Sequence, residues 1–327
     1  MQRDICATRR GLLAGIAQVM GLPSLARAQE AGRAVRIIAP IAPGGLTDGL
    51  ARLLAQRLSE RTGQTFVVEN RPGGGGIIGM EAAARATPDG NTLVLVYQGV
   101  ASVNPVLYPA LPYDTLRDFS CVGLAGSFPI LLTVPASLPV NNAAEFIALA
   151  RRQPGALSYG SAGNATTAHL AMELFKRQAG VDIVHVPYRG EAPALAELAG
   201  GRIAAVFATV AAAKPVIDAG HIRAVGVATP GPSALAPGIP AIAASGLPGF
   251  EVTGWYGLLA PRGTPAPAIA RLNAELRAIL REPNTQARLA AMGLEPSGST
   301  PEACEAWIRD ETRKWREVIA AAGIRVD

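Results

Sequence analysis

Short apolar runs alternate along the chain with stretches in which apolar residues recur every three or four positions. Val35 to Ala39 is one such run, ended by Pro40, and reads as a buried parallel strand. Leu50, Leu53, Leu54 and Leu58 then follow the helical period. The alternation continues: strands are expected at Thr65 to Glu69 and Thr92 to Val96, with a helix between them through Ala86. Cys121 to Ala125 and Phe128 to Val134 read as two further strands, separated by Gly126-Ser127. Asn142 to Arg152 is a helix, with Asn142 and Glu145 at capping-box spacing. Leu157 to Tyr159, Asp182 to Val186, Arg202 to Ala208 and Arg223 to Ala228 are strands, with helices after the first three. Glu251 to Leu259 is extended after a proline-rich connection from Pro230 to Pro248. Two amphipathic helices close the chain, one from near Pro265 and one capped by Thr300 with Pro301 at its first position. Strands alternating with helices predict an α/β fold with parallel sheet.

Two of the connections carry candidate chemistry. Between the first strand and helix lies Ala42-Pro43-Gly44-Gly45-Leu46-Thr47-Asp48, a glycine-loosened loop in which Thr47-Asp48 is expected to cap the helix. About 115 residues later the pattern recurs: Gly160-Ser161-Ala162-Gly163-Asn164-Ala165, then Thr166 or Thr167 as cap of a helix bearing His169. A helix start exposes unpaired N–H groups and the positive end of the dipole, so each loop is a candidate anion site. Two in one chain suggest an anion held between them. Gly74, Gly76 and Gly79 match G-x-G-x-x-G. However, Asn70-Arg71-Pro72 puts a long loop before the first glycine, and the next strand ends without the expected acid, so close helix–sheet packing is the preferred reading. Gly160 to Gly163 is not a nucleophile elbow. The three histidines have no paired spacing, so neither a metal site nor a cofactor is expected.

The chain has 327 residues, enough for two domains, with few aromatics and modest charge. Arg3, Arg9 and Arg10 precede an apolar run too short to span a bilayer, and Ala26-Arg27-Ala28 is an A-x-A site. Residues 1–28 are therefore expected to be a signal peptide of the general or the twin-arginine type, with the mature protein exported. Without it the net charge falls from +5 to +2, and there is no basic cluster to suggest nucleic acid. Cys121 and Cys304 remain and are read as two buried thiols.

Ala42 to Asp48 with Ala51-Arg52, Val68 to Gly73, Asn104-Pro105 with Leu107-Tyr108, Leu157 to Tyr159 with Gly163-Asn164, His185 to Gly190 and Leu247 to Glu251 together resemble the Bug family, the extracytoplasmic solute receptors of tripartite tricarboxylate transporters. The resemblance implies a two-domain α/β periplasmic binding protein of Venus-flytrap type with a hinge and central cleft. One domain would be residues 29–128 plus 250–327 and the other 129–249. It implies a non-enzymatic monomer that holds a small organic acid for membrane permease subunits, or alternatively presents it to a membrane sensor kinase. Carried onto this chain, the ligand contacts are Gly45, Leu46, Thr47 and Asp48 from one loop. Ser161, Ala162, Gly163, Asn164, Thr166 and Thr167 come from the other, with Gln98 and Tyr188 on neighbouring loops and Ala208 at a strand end. The chain departs from the family at Ile41, usually Phe, at Leu46, where a small polar residue is common, and at Ala208-Thr209, where many members carry Phe-Asp. Those departures imply an apolar or aromatic, hydroxyl-poor carboxylate.

Overall fold

A computed structural model describes residues 34–325, so the expected signal peptide lies outside the described residues. The first strands and helices are β1 (Val35–Ala39), α1 (Leu46–Thr62), β2 (Phe66–Asn70), α2 (Ile77–Ala84) and β3 (Thr92–Tyr97). β1 lies between β2 and β3, parallel to both. Gly79 of α2 lets the helix close on the sheet: a Cβ there would stand 2.7 Å from Pro40 Cα. The glycine-rich segment thus serves packing, as its sequence context suggests.

β4 (Phe119–Pro135) is a single strand where the sequence predicts two. Gly126-Ser127 carries a turn signal, yet both residues stay in the ladder because β10 (Glu295–Pro296) pairs with them, and bulges near Gly123 and Gly126 absorb the irregularity. The second group of elements is α3 (Ala143–Arg152), β5 (Ser158–Ser161), α4 (Thr167–Ala179), β6 (Val184–Pro187), α5 (Glu191–Ala199), β7 (Ala205–Thr209), α6 (Val210–Asp218) and β8 (Ile222–Val227). The chain returns through β9 (Thr253–Pro261) to α7 (Ala266–Arg281), α8 (Pro283–Ala291) and α9 (Pro301–Ala322). The sequence pattern missed α8, whose only buried side chains are Thr285 and Leu289, too few to make an apolar stripe.

The strands form one curled sheet in the order β2-β1-β3-β9-β4-β7-β5-β6, with β8 and β10 also on β4. It is mixed, not parallel: β9 runs antiparallel to both β3 and β4, and β4 antiparallel to β7 and β8. β9 re-enters from the second group without a helical crossover, and a parallel pairing requires one. β4 pairs with β9 up to Pro129 and with β7 from Ile130 onward, so the sheet divides into two lobes at that point. At the division Gly254 lies opposite Phe128, and a Cβ on Gly254 would meet the Phe128 ring at 2.0 Å.

Each lobe covers both faces of its sheet with apolar side chains, among them Leu50, Leu54 and Leu276 in the first and Phe146, Phe175 and Phe207 in the second. α9 serves both: Cys304 and Ile308 pack in the first lobe, Trp315, Val318 and Ile319 in the second. Between them Glu311, 4% exposed, accepts from the indole N–H groups of Trp255 (3.2 Å) and Trp315 (2.9 Å) and from Gln98 Nε2 (2.9 Å). A buried carboxylate is tolerable only with such a set of donors.

Candidate ligand cleft

The first loop, after β1, starts α1 earlier than the sequence suggests. Gly45 is the N-cap, in extended conformation, and Leu46 opens the helix. Thr47 and Asp48 are therefore second and third helical residues, and neither is the cap. Gly44 makes the turn at φ +94°, where a side chain would be strained. Asp48 Oδ2 accepts from the Gly44 N–H at 3.0 Å and from Arg52 Nε at 3.0 Å, and Oδ1 accepts from Asn70 Nδ2 at 2.9 Å. The hydrogen bond from Arg52, with those from Gly44 and Asn70, holds the Asp48 carboxyl down at about 2 against the cost of burial. Asp48 is thus spent on the loop: 5% exposed and engaged by three donors, it holds the turn from behind. Thr47 is also buried and faces the Tyr256 hydroxyl, whose pKa burial raises and Thr47 holds back. Gly45 is exposed and Leu46 half-buried, so this part of the loop meets solvent. The N–H groups of the first helical turn have no intrahelical acceptor.

The second loop leaves β5. Ser161 is the last residue of the strand and is wholly buried, as is Ala208 in β7, whose backbone pairs with Leu131. Neither side chain reaches a surface. Ser161 Oγ donates to Gly163 O (3.0 Å), accepts from Gly163 N–H (3.2 Å) and lies 2.7 Å from His185 Nε2. Thr166 is the N-cap of α4, but its hydroxyl turns back to Gly163 O (2.8 Å). Ala162, Gly163, Thr166 and Thr167 are half-buried and Asn164 exposed. Gly163 sits at φ +131°, and Ala165 adopts φ +59°, a left-handed conformation that costs a non-glycine residue roughly 1 kcal/mol. Tyr188, half-buried, donates its N–H to Ser161 O at 3.0 Å, tying the next loop to this one.

Beneath the second loop are two histidines that their sequence positions leave apart. The parallel register puts His185 opposite Tyr159, and these rings stack at 4.8 Å. His169, on the first turns of α4, stacks on His185 at 3.9 Å, and its Nδ1 accepts the Ala165 N–H at 3.0 Å. Burial, and for His185 also the neighbouring His169, pushes both below the ordinary imidazole range, His185 to about 4. Both rings are neutral at pH 7. Among the described residues no group of three or more His, Cys, Asp or Glu is placed to hold a metal ion.

A line of contacts runs from the first loop toward the second. Thr47 meets Tyr256, Tyr256 is the register partner of Tyr97, and Gln98 follows Tyr97 at the end of β3. The Gln98 Oε1 accepts the Thr167 hydroxyl at 2.9 Å, while its Nε2 is held by Glu311. The first residue of α4 in the second lobe thus bonds a residue at the carboxyl end of β3 in the first. Open α/β sheets hold ligands outside the carboxyl ends of their strands. Thr209, at the position where the resemblance leads one to expect Asp, is the N-cap of α6 and accepts from Ala212 N–H. The residue at that position therefore has a capping role here.

A family model described as the tripartite tricarboxylate transporter family receptor matches residues 50–324. Protein BugT of Bordetella pertussis (strain Tohama I) is 33% identical over 295 residues, 90% of each chain. An R. palustris protein solved with adipate is 38% identical with a TM-score of 0.74, covering 90% of this chain and 98% of its own. MatC from Rhodopseudomonas palustris, solved with bound malate, is 31% identical with a TM-score of 0.69, covering 88% and 99%.

Proposed function

The chain belongs to the tripartite tricarboxylate transporter receptor family, the Bug receptors, and on that premise we propose that it captures a small carboxylate between its lobes and delivers it to a tripartite permease. Family members and the structural relatives are solute-binding receptors, and TctC-type receptors are periplasmic. Export through residues 1–28 to the periplasm fits that setting. The change of partners that β4 makes after Pro129 supports a division into residues 29–128 with 250–327 and residues 129–249.

The carrying observation is that each lobe ends a parallel strand in a glycine loop and a helix start, α1 after β1 and α4 after β5. The N–H groups of Gly45, Leu46 and Thr47 on one side, and of Thr167 at the start of α4 on the other, are offered to a carboxylate, while those of Gly163 and Thr166 hold the second loop to Ser161 Oγ and Gly163 O. Asp48, Ser161 and Ala208 support those loops from within. Tyr188 and Asn164 border the second loop. The adipate and malate held by relatives support an organic acid as the guest. Leu46, half-exposed beside the first donors, with Ile41 and Ala162, favours an acid with an apolar body over a polyhydroxylated one.

Two substitutions test this with little disturbance. Leu46 and Thr167 are the first helical residues of α1 and α4, where proline is tolerated, and the preceding Gly45 and Thr166 are already extended (ψ 175° and 160°). Leu46→Pro and Thr167→Pro each delete one N–H; Thr167→Pro also removes the hydroxyl that bonds Gln98, a loss that Thr167→Val makes alone. Each is expected to weaken binding of the best acid in a thermal-shift screen by about tenfold in calorimetry, the worth of one hydrogen bond to a charged group. Affinity unchanged in both variants overturns the site.

A further inference from the structure

We infer that Cys121 and Cys304 are joined by a disulfide in the exported protein, which rests on the periplasmic reading above only for where the bond forms. The two cysteines are 183 positions apart, one near the start of β4 and one in the first turns of α9, yet the fold brings them together. Asn273 Nδ2 donates to both Val122 O (2.7 Å) and Ser299 O (2.8 Å), and the Leu124 N–H donates to Ser299 Oγ (2.9 Å). Strand residues 122–124 are thereby fastened to Ser299, and the Cys304 N–H continues the connection by bonding Thr300 O at 3.0 Å. Both cysteines belong to one apolar cluster, 7% and 0% exposed, and both are free thiols in this structure, with Cys121 close enough to act on the titration of Cys304.

Cys121 and burial raise the Cys304 pKa, so in the folded chain Cys304 does not readily become the thiolate that attacks a disulfide, and both sulfurs are buried away from an oxidant. The bond therefore forms as the exported chain folds. One thiolate attacks the disulfide of an oxidised thiol–disulfide oxidoreductase, and the second displaces the oxidant from the mixed disulfide. The oxidant leaves as a dithiol carrying both electrons and both protons. Closing so long a loop removes much freedom from the unfolded chain. It also pins the start of α9 to the first lobe, while Trp315 and Ile319 remain in the second.

The full-length chain is expressed in a bacterium with an oxidising periplasm, and the periplasmic fraction is denatured with N-ethylmaleimide and weighed intact. The processed chain is expected to take up no maleimide before reduction and two after it. A processed chain with two adducts before reduction overturns the inference and leaves export standing. An unprocessed precursor contradicts the export reading instead, and a second arm then decides the bond. The chain from Gln29 is refolded from denaturant in a reduced/oxidised glutathione mixture and digested. A linked Cys121–Cys304 peptide pair is expected, and refolded protein with both thiols alkylated overturns the inference. Reductant should lower the melting temperature of the linked protein by roughly 5–10 °C and leave a Cys121→Ser/Cys304→Ser variant unmoved.

Discussion

The two glycine loops present the same feature, a helix start behind a strand, but they are held in place by opposite chemistry. The first is tied by a charge: the Asp48 carboxylate gathers Gly44, Arg52 and Asn70 around itself. The second is tied by neutral groups, a buried hydroxyl, two stacked imidazoles and the Ala165 N–H on a ring nitrogen. A carboxylate behind the first loop places negative charge near the guest, but Arg52 offsets it. Uncharged rings behind the second loop place none, provided they stay unprotonated. The same donor geometry thus answers to different solution conditions in the two lobes.

The largest expected break in this pairing is Asp48→Ala. It strips the acceptor from the Gly44 N–H, the half-buried Asn70 amide and a guanidinium. Arg52 is 56% exposed, so its ion pair contributes little and the backbone and amide bonds carry most of the effect. A loss of about 2–3 kcal/mol in urea unfolding is expected, and a change below about 0.5 kcal/mol, the range of surface substitutions, would remove Asp48 from the role given to it.

Next in size is the response to acid, where the lobes should part. The folded-state pKa of His185 is depressed to about 4 and that of His169 is also lowered, each from 6.5. Their neutral forms favour the fold, so stability is fully present above pH 6.5 and declines as pH falls toward 4. Asp48, depressed from 3.8 to about 2, keeps its contribution until pH falls below 4. Melting temperature should therefore fall in two stages, and His185→Gln should flatten the upper one only. Hydrogen exchange at pH 5 should find the second loop opened and the first still protected.

Gln98→Leu removes the bond to Thr167 and one donor from Glu311, at an expected cost of about 1–2 kcal/mol, and should leave the pH stages where they are. The smallest effect is expected at Ala165. Ala165→Gly relieves the φ +59° strain but adds freedom to the unfolded chain, so stability should move by less than about 0.5 kcal/mol. Gly163→Ala, at φ +131°, should be clearly worse in the same measurement.

The sequence made the strand–loop–helix units legible because their signals are local: an apolar run, glycines, then a helical period. β1, α1 and the capping of α3, where Asn142 accepts from the Glu145 N–H, lie within a few residues of each other in the chain. The places where the pattern failed are set by distant partners. Gly126-Ser127 looks like a break until β10 pairs with it, and the sheet looks parallel until β9 returns. His169 and His185 look isolated because nothing local announces that β6 will lie beside β5 with His185 against Tyr159. Glu311 looks like one more charge on a helix, and only the fold turns it toward two tryptophans and Gln98. At the first loop the error was small but instructive. Thr47 and Asp48 have capping side chains, yet the helix begins at Leu46 because Asp48 can reach back to Gly44 from the third position.

Phe128 and Gly254 are register partners where the chain leaves and re-enters the first lobe. The second lobe is therefore an insertion whose ends already touch, and a two-residue turn would suffice to close the remaining strands into a hairpin. Such a shortened chain would still carry the far half of α9, with Trp315, Val318 and Ile319 stripped of their cover. The smaller protein would fold its sheet and then stick to its own copies along that helix, a sign that each half depends on the other for solubility as well as for function.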